Sequence, residues 1–151
     1  MRAVLGIDTS TTATKAVLVG EDGGVLGIGT SEYGYDVPHP LWSEGDPEVW
    51  WAATGEAVRS VLASASVAAS DVAAVGLTGQ MHGLVLLDDA DRVLRPAILW
   101  NDQRTAAECD AIRAAVGAER LIAITGNDAL TGFTAPKLVW VRDHEPSVWS
   151  R

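Results

Sequence analysis

The segment from Gly6 to Val19 carries the residues of this 151-residue sequence that are best suited to chemistry. Apolar residues 3–7 end on Asp8, a run of small hydroxyl residues follows, and Lys15 precedes a second apolar run. Short β-branched runs bounded by small polar residues predict two strands joined by a tight turn. Backbone N–H groups and hydroxyls in such a turn can surround phosphate oxygens. A carboxylate at a strand end can hold Mg²⁺ directly or through water. The alternative interpretation is an ordinary hairpin with a hydroxyl-rich turn.

Two further segments place hydrogen-bonding side chains where apolar runs end. Residues 79–83 read Gly-Gln-Met-His-Gly, and the glycines let the backbone beside Gln80 and His82 approach a ligand closely. Residues 100–104 read Trp-Asn-Asp-Gln-Arg, which combines an aromatic face with amide and carboxylate groups, a mixture that suits a sugar. Each segment also has a structural interpretation. The first can be a turn with a satisfied histidine, and the second a helix N-cap followed by solvated charges.

Composition and charge narrow the class of protein. The chain is long enough for one domain that buries roughly two-thirds of its unfolded surface. No apolar run approaches the ~18 residues of a membrane span, and Asp8 interrupts the only early apolar segment, so we expect no signal peptide. The net charge of −9 argues against nucleic-acid binding, and the single cysteine is typical of a reducing compartment. We therefore expect a cytoplasmic protein with no nucleic-acid or membrane partner.

Hydrophobic periodicity predicts an α/β fold with a mixed sheet and flanking helices. Residues 2–30 predict a three-stranded antiparallel start, and residues 47–63 predict a helix that packs on this sheet and begins after Asp46. Residues 72–77 are almost wholly apolar, which is typical of a strand covered on both faces. The remaining predictions are an irregular segment over 31–46, a strand over 84–87, and helices over about 105–116, 121–125 and 134–144.

Residues 6–15 resemble the first phosphate-binding segment of the FGGY carbohydrate kinases, which share the actin-like, ribonuclease H-like ATPase fold. Further segments resemble the xylulose kinases within that family, in the same order along nearly the whole chain. They are residues 38–44 (Pro-His-Pro-Leu-Trp-Ser-Glu), 79–83, 99–102 (Leu-Trp-Asn-Asp) and 132–138 (Gly-Phe-Thr-Ala-Pro-Lys-Leu). The Gln-Met-His-Gly segment is the most specific of these signals.

The resemblance implies ATP-dependent phosphorylation of D-xylulose to D-xylulose 5-phosphate. Asp8 would position Mg²⁺ and phosphate, and Thr11, Thr12 and Lys15 would contact the phosphates of ATP. The side chains expected to border the sugar are Gln80, Met81, His82, Asn101 and Asp102. A homodimer of the full-length enzyme is a further expectation from the resemblance.

Members of the family are much longer and carry a catalytic-base aspartate early in a second domain. The resemblance therefore predicts that residues 1–151 are an incomplete N-terminal kinase domain, inactive alone, without that second domain, its base or the adenine pocket. Three alternatives stay open at this point. They are a kinase of the same family acting on ribulose or gluconate, a non-catalytic actin-like nucleotide-binding module, and a standalone sugar-binding module.

Overall fold

The computed structural model describes residues 2–151, which form two compact units. The first unit contains the chain up to Tyr35 together with Pro47–Gln80, and the second contains Asp36–Asp46 and Met81–Arg151. The elements in chain order are β1 (Ala3–Thr9), β2 (Ala13–Gly20), β3 (Val25–Glu32), β4 (Glu44–Gly45), α1 (Pro47–Ser64), a 3₁₀ turn (Ala69–Asp71), β5 (Val72–Gly79), β6 (Ala97–Ile98), α2 (Ala106–Val116), α3 (Ala118–Thr125), α4 (Thr134–His144) and α5 (Pro146–Trp149).

The first unit is a four-stranded sheet in the order β3-β2-β1-β5. Strands β1, β2 and β3 pair antiparallel, and β5 pairs parallel with β1 after the crossover through α1. Both the antiparallel start and the mixed character of the sheet agree with the sequence-based prediction. Helix α1 packs on the sheet, as predicted, and the buried core between them consists of Ala3, Leu5, Ala16, Leu18, Ala57, Val61 and Val67.

Two glycines of β3 allow α1 to approach the sheet closely. A Cβ atom at Gly29 would lie 2.2 Å from the Ala57 carbonyl oxygen, and one at Gly27 would lie 3.3 Å from a Val61 methyl group. Real Cβ atoms do not tolerate the first of these distances, so the helix backbone rests directly on the strand at Gly29.

Strand β5 differs from its prediction in burial. Its apolar composition predicts cover on both faces, but Val75 is 55% exposed and Leu77 is 78% exposed. The expectation of two covered faces is therefore wrong for the described chain. The physical reason is position, because β5 is the last strand of this sheet and α1 packs mainly against β2 and β3.

The second unit contains helices α2–α5 and a two-stranded antiparallel ladder of β4 and β6. The predicted strand over 84–87 is wrong, since Leu84 and Leu87 make only isolated bridges to Ile98 and Val93. Pro96 lies between Val93 and Ile98 in the sequence and has no N–H to donate. It therefore prevents a continuous ladder with residues 84–87.

The helices of the second unit agree closely with their predictions. The C-cap of α2 is Gly117, with φ of 87°, and Cys109 is buried on α2. Helix α4 ends at His144, as predicted, and Pro146 begins the short helix α5. The core of this unit consists of Leu84, Ile98, Trp140 and Val141.

Within residues 2–151, no helix combines the length and hydropathy that crossing a membrane requires.

Candidate active site

The hairpin between β1 and β2 places Asp8 and Lys15 side by side. These residues are paired across the two strands, and Asp8 is also paired with Thr78 of β5. Side chains alternate between the faces of a strand. Because Leu5 lies in the core beneath α1, Asp8 and Lys15 lie on the opposite face of the sheet.

Hydrogen bonds within the first unit fix the shape of the hairpin turn. The Ser10 N–H donates to the Ala13 carbonyl at 2.9 Å, and the Tyr33 hydroxyl donates to the Ser10 carbonyl at 2.7 Å. The Tyr33 N–H donates to the Thr12 carbonyl at 2.9 Å. Burial raises the pKa of the Tyr33 phenol, so the hydroxyl stays a neutral donor. These three hydrogen bonds brace the turn from within the first unit.

Gln80 is bonded to this turn by both its backbone and its side chain. Its N–H donates to the Thr9 carbonyl at 2.9 Å, and its Nε2 donates to the Ser10 carbonyl at 3.4 Å. The Thr11 hydroxyl donates to Gln80 Oε1 at 3.3 Å. These contacts bring Gln80 to the predicted phosphate residues. Its predicted contact with a sugar stays a prediction and gains no support from this geometry.

Two grooves border the hairpin. The larger has a volume of about 610 Å³ and is lined by Ser10, Thr12, Ala13, Lys15, Thr30, Glu32 and Tyr33. The other has a volume of about 400 Å³ and is lined by Gly6, Ile7, Asp8, Lys15, Val17, Gly76, Leu77 and Thr78. Lys15 borders both grooves. A cation beside clustered hydroxyls is a suitable environment for phosphate oxygens.

The Asp8 carboxylate fits a magnesium ion of the type bound together with nucleotide phosphates. Asp8 is half-buried, and within residues 2–151 its carboxylate takes part in no hydrogen bond or ion pair. The same residues contain no group of three or more potential metal ligands. Mg²⁺ is commonly held by one or two carboxylates, substrate phosphates and water. A single carboxylate is therefore sufficient for this kind of site.

In the second unit, His82 is exposed and has an unusual backbone. Its φ is 64°, in the left-handed region, and its ring centroid lies 4.7 Å from that of Phe133. An apolar cavity of about 220 Å³ lies against both rings. The neighbouring Met81 is 70% exposed. Met81 and His82, two of the side chains predicted to contact the sugar, are thus accessible to a ligand.

Asn101 follows β6 and offers a hydrogen-bond acceptor. Its Oδ1 atom is buried and has no hydrogen-bond partner within the described chain. Leaving a buried polar atom unpaired costs about 1–3 kcal/mol. A ligand hydroxyl that donates to this atom would remove the cost. Trp100, immediately before it, is 49% exposed.

Asp102 is predicted to border the sugar, a role that requires an accessible carboxylate, but its environment is different. It is fully buried, and its carboxylate accepts the Ser43 N–H at 2.7 Å and pairs with the Arg104 guanidinium at 2.7 Å. That guanidinium lies 3.7 Å from the centre of the Trp42 ring and also pairs with Glu44 at 2.8 Å. Asp102 therefore anchors the segment around Ser43, and its contact with a sugar stays a prediction.

Sequence reasoning assigned no role to Lys137, which is the largest fully buried side chain. Its Nζ donates to the carbonyls of His82 and Gly132, at 2.8 Å and 2.6 Å. Burial lowers the pKa of Lys137 to about 8, against the opposing effect of the Asp102 charge. The available signal in the sequence was a rare lysine, one of two, in the apolar first half of a helix.

The structure therefore groups the predicted residues within each unit. The hairpin brings together Asp8, Thr11, Thr12, Lys15 and Gln80 in the first unit. In the second unit, Met81 and His82 lie in one segment, and Asn101 and Asp102 follow β6.

Comparison with known proteins identifies the family. The model of the N-terminal domain of the FGGY family of carbohydrate kinases matches residues 3–151. The chain belongs to this family. The similarity to individual members covers almost the entire length of this chain. It covers only a minor part of the length of each member.

Two relatives of the chain are xylulose kinases of known sequence. The chain is 50% identical to the xylulose kinase of Escherichia coli strain K12 over 145 residues, which cover 96% of this chain and 29% of that protein. It is 49% identical to the xylulose kinase of Klebsiella pneumoniae over 147 residues, covering 97% of this chain and 30% of the relative. The present chain thus spans less than a third of the length of these relatives.

A solved structure of similar sequence confirms the fold class. The crystal structure of xylulose kinase from Rhodospirillum rubrum superposes with a TM-score of 0.92 at 35% identity, covering 99% of this chain and 30% of that one. This superposition confirms the predicted fold class. The chain has a mixed sheet with flanking helices, of the actin-like ATPase fold.

Proposed function

We propose that this chain is the N-terminal part of an ATP-dependent kinase that phosphorylates D-xylulose to D-xylulose 5-phosphate. The observation that carries the proposal is the 50% identity to a xylulose kinase over almost the whole chain. The geometry supports it independently, because a braced hydroxyl-rich hairpin beside Asp8 and Lys15 suits a polyphosphate. The accessible His82 segment and the unpaired Asn101 acceptor suit a polyhydroxylated substrate.

The proposed phosphate side consists of the hairpin residues. Thr11, Thr12 and Lys15 contact the phosphates of ATP, and Asp8 holds Mg²⁺ directly or through water. When bound, Mg²⁺ neutralises charge on the phosphates during transfer. The Tyr33 hydroxyl keeps the Ser10 carbonyl in place, so the turn donors need little rearrangement when nucleotide binds.

The proposed sugar side consists of Met81, His82 and Asn101. Imidazole and amide groups can exchange hydrogen bonds with hydroxyls, and Met81 supplies apolar contact for the carbon skeleton. Gln80 and Asp102 belong to the proposed sugar set with weaker support, because their polar atoms are already bonded within the protein. The proton of the attacking hydroxyl passes to a base that the resemblance places beyond residue 151.

A sugar panel on the full-length kinase that contains this sequence tests the proposal. ADP release is measured with D-xylulose, ribulose, gluconate and glycerol, and with ATP omitted as the control. We expect the highest kcat/KM with D-xylulose. We expect no ADP release when ATP is omitted. A clear preference for ribulose or gluconate would assign the chain to another branch of the family. ATP hydrolysis unaffected by any sugar would contradict the kinase proposal.

A cytoplasmic location and a homodimer of the full-length enzyme belong to the same proposal. The single buried cysteine supports a reducing compartment. Cell fractionation and analytical ultracentrifugation measure the two properties. A membrane-bound fraction or a monomer at micromolar concentration would contradict them.

A further inference from the structure

We propose that Lys137 is the positioning residue of the sugar site, acting through the backbone carbonyl of His82. The inference rests on the proposed function, since it assigns to His82 a contact with the sugar. Lys137 itself is fully buried and therefore inaccessible to a substrate. Its Nζ donates to the His82 carbonyl at 2.8 Å and to the Gly132 carbonyl at 2.6 Å.

The backbone of His82 needs such a restraint. Its φ of 64° lies in the left-handed region, which is unfavourable for a residue with a Cβ. The conformation directs the His82 carbonyl toward α4, where the Lys137 ammonium and the Thr134 hydroxyl, at 3.3 Å, both donate to it. Without these donors, an exposed loop residue would relax to a less strained backbone, and its ring would move.

The second bond of Lys137 connects the other segments of the same site. A Cβ at Gly132 would lie 2.9 Å from the Trp100 carbonyl oxygen, so the two backbones are in close contact. Phe133, which follows Gly132, packs its ring against that of His82. The Lys137 ammonium thus bonds the backbone at His82 and, through Gly132, beside the Phe133 ring that packs on His82.

The chemistry of the contact explains why a lysine is used. A buried ammonium has three N–H donors, and two of them are satisfied by carbonyl oxygens. Hydrogen bonds from charged donors are the stronger kind in a protein interior. Burial lowers the pKa of Lys137 to about 8, with Asp102 and Arg104 as the charged groups that act on it in opposite directions. A neutral amine would still supply two donors.

A double-mutant cycle in the full-length kinase tests the assignment. Lys137→Met removes both bonds at similar side-chain length, and we expect it to raise the KM for the sugar roughly ten- to hundredfold. The KM for ATP should stay within about twofold. If Lys137 acts through His82, then adding Lys137→Met to His82→Ala should have little further effect on the sugar KM.

Controls separate positioning from a general loss of stability. Val141→Ala truncates a fully buried residue of the same helix whose side chain has no hydrogen-bond donor, and it should lower the melting temperature without changing the sugar KM. Lys137→Arg keeps the charge and the donors and should recover part of the sugar affinity. If Lys137→Met does not fold, Thr134→Val removes the second donor to the His82 carbonyl and should raise the sugar KM by a smaller factor.

The cycle can overturn the inference without affecting the proposed function. Kinetics are measured with whichever sugar of the panel gives the highest kcat/KM, so the identity of the substrate does not decide this test. Multiplicative effects of the two single variants would show that Lys137 does not act through His82. Equal increases in the KM values for ATP and sugar would show a purely structural role.

Discussion

The Asp8 carboxylate is the residue on which the proposed phosphoryl transfer depends most directly. In the full-length kinase, Asp8→Asn should lower kcat much more than it weakens sugar binding, because charge on the transferring group is neutralised by the metal and placed donors. Steady-state kinetics and sugar binding by calorimetry, compared with wild type, measure the two effects. Matching losses in turnover and in sugar affinity would remove Asp8 from the phosphate side.

Lys137 predicts a stability that depends on pH. Its pKa is about 8 in the folded chain and 10.5 in its ordinary state. Between these values the unfolded chain keeps a proton that the folded chain has lost. Unfolding then takes up a proton, so the free energy of unfolding rises with pH. The rise attributable to Lys137 is about 3 kcal/mol in total, since each unit of pKa difference corresponds to about 1.4 kcal/mol.

Urea denaturation between about pH 7 and pH 10 measures this effect. Lys137→Met is the matched control, because all other titrating groups contribute equally to both proteins. The unfolding free energy of the wild type should increase relative to the variant as the pH rises. A pH-independent difference would mean that the ammonium is not destabilised by burial.

At the level of elements, the contact of α1 with β3 depends on a glycine. Gly29→Ala places a Cβ 2.2 Å from the Ala57 carbonyl oxygen, so the helix must move away from the sheet. We expect a loss of roughly 1–3 kcal/mol in the free energy of unfolding, as for other overpacked sites. Gly34→Ala is the control, because a Cβ there meets nothing within 4 Å. Equal stabilities of the two variants in urea denaturation would contradict the close contact.

The elements with local signals could be predicted from the sequence. Helix α1 shows helical spacing of its apolar residues after Asp46, and Gly117 marks the end of α2. The meander β1–β3 follows from apolar runs separated by short turns. The exposure of β5 could not be predicted in this way, because burial depends on which elements cover a strand and not on its own composition.

The site was predictable to the extent that residue type alone determines chemistry. Hydroxyls and a lysine around Asp8 indicate phosphate chemistry, and the structure brings them into one hairpin. The contacts of Asp102 and Lys137 could not be predicted, since they join atoms far apart in the sequence. The sequence does not distinguish a carboxylate that is available to a ligand from one that is already paired with an arginine.

For the molecule as a whole, we expect residues 1–151 alone to phosphorylate D-xylulose at no measurable rate. The chain spans about 30% of the length of its relatives, and by resemblance the base lies in a second domain. Loss of a base alone lowers a rate roughly 10²–10⁴-fold. A coupled ADP-release assay on the purified 151-residue protein, with an intact kinase as the control, measures this. Turnover within about tenfold of the intact enzyme would mean that these residues contain their own base.

The order of strands in the first unit has a consequence for how it folds. Strands β1, β2 and β3 are joined by short turns, whereas β5 must pair with β1 across a separation of roughly 70 residues, and such distant contacts form slowly. The meander should therefore form before β5 docks. Pulse-labelled hydrogen exchange during refolding measures this order, with amides of β2 protected earlier than those of β5. Until it docks, an apolar strand is free to pair with other chains, so the yield of refolding should fall as protein concentration rises.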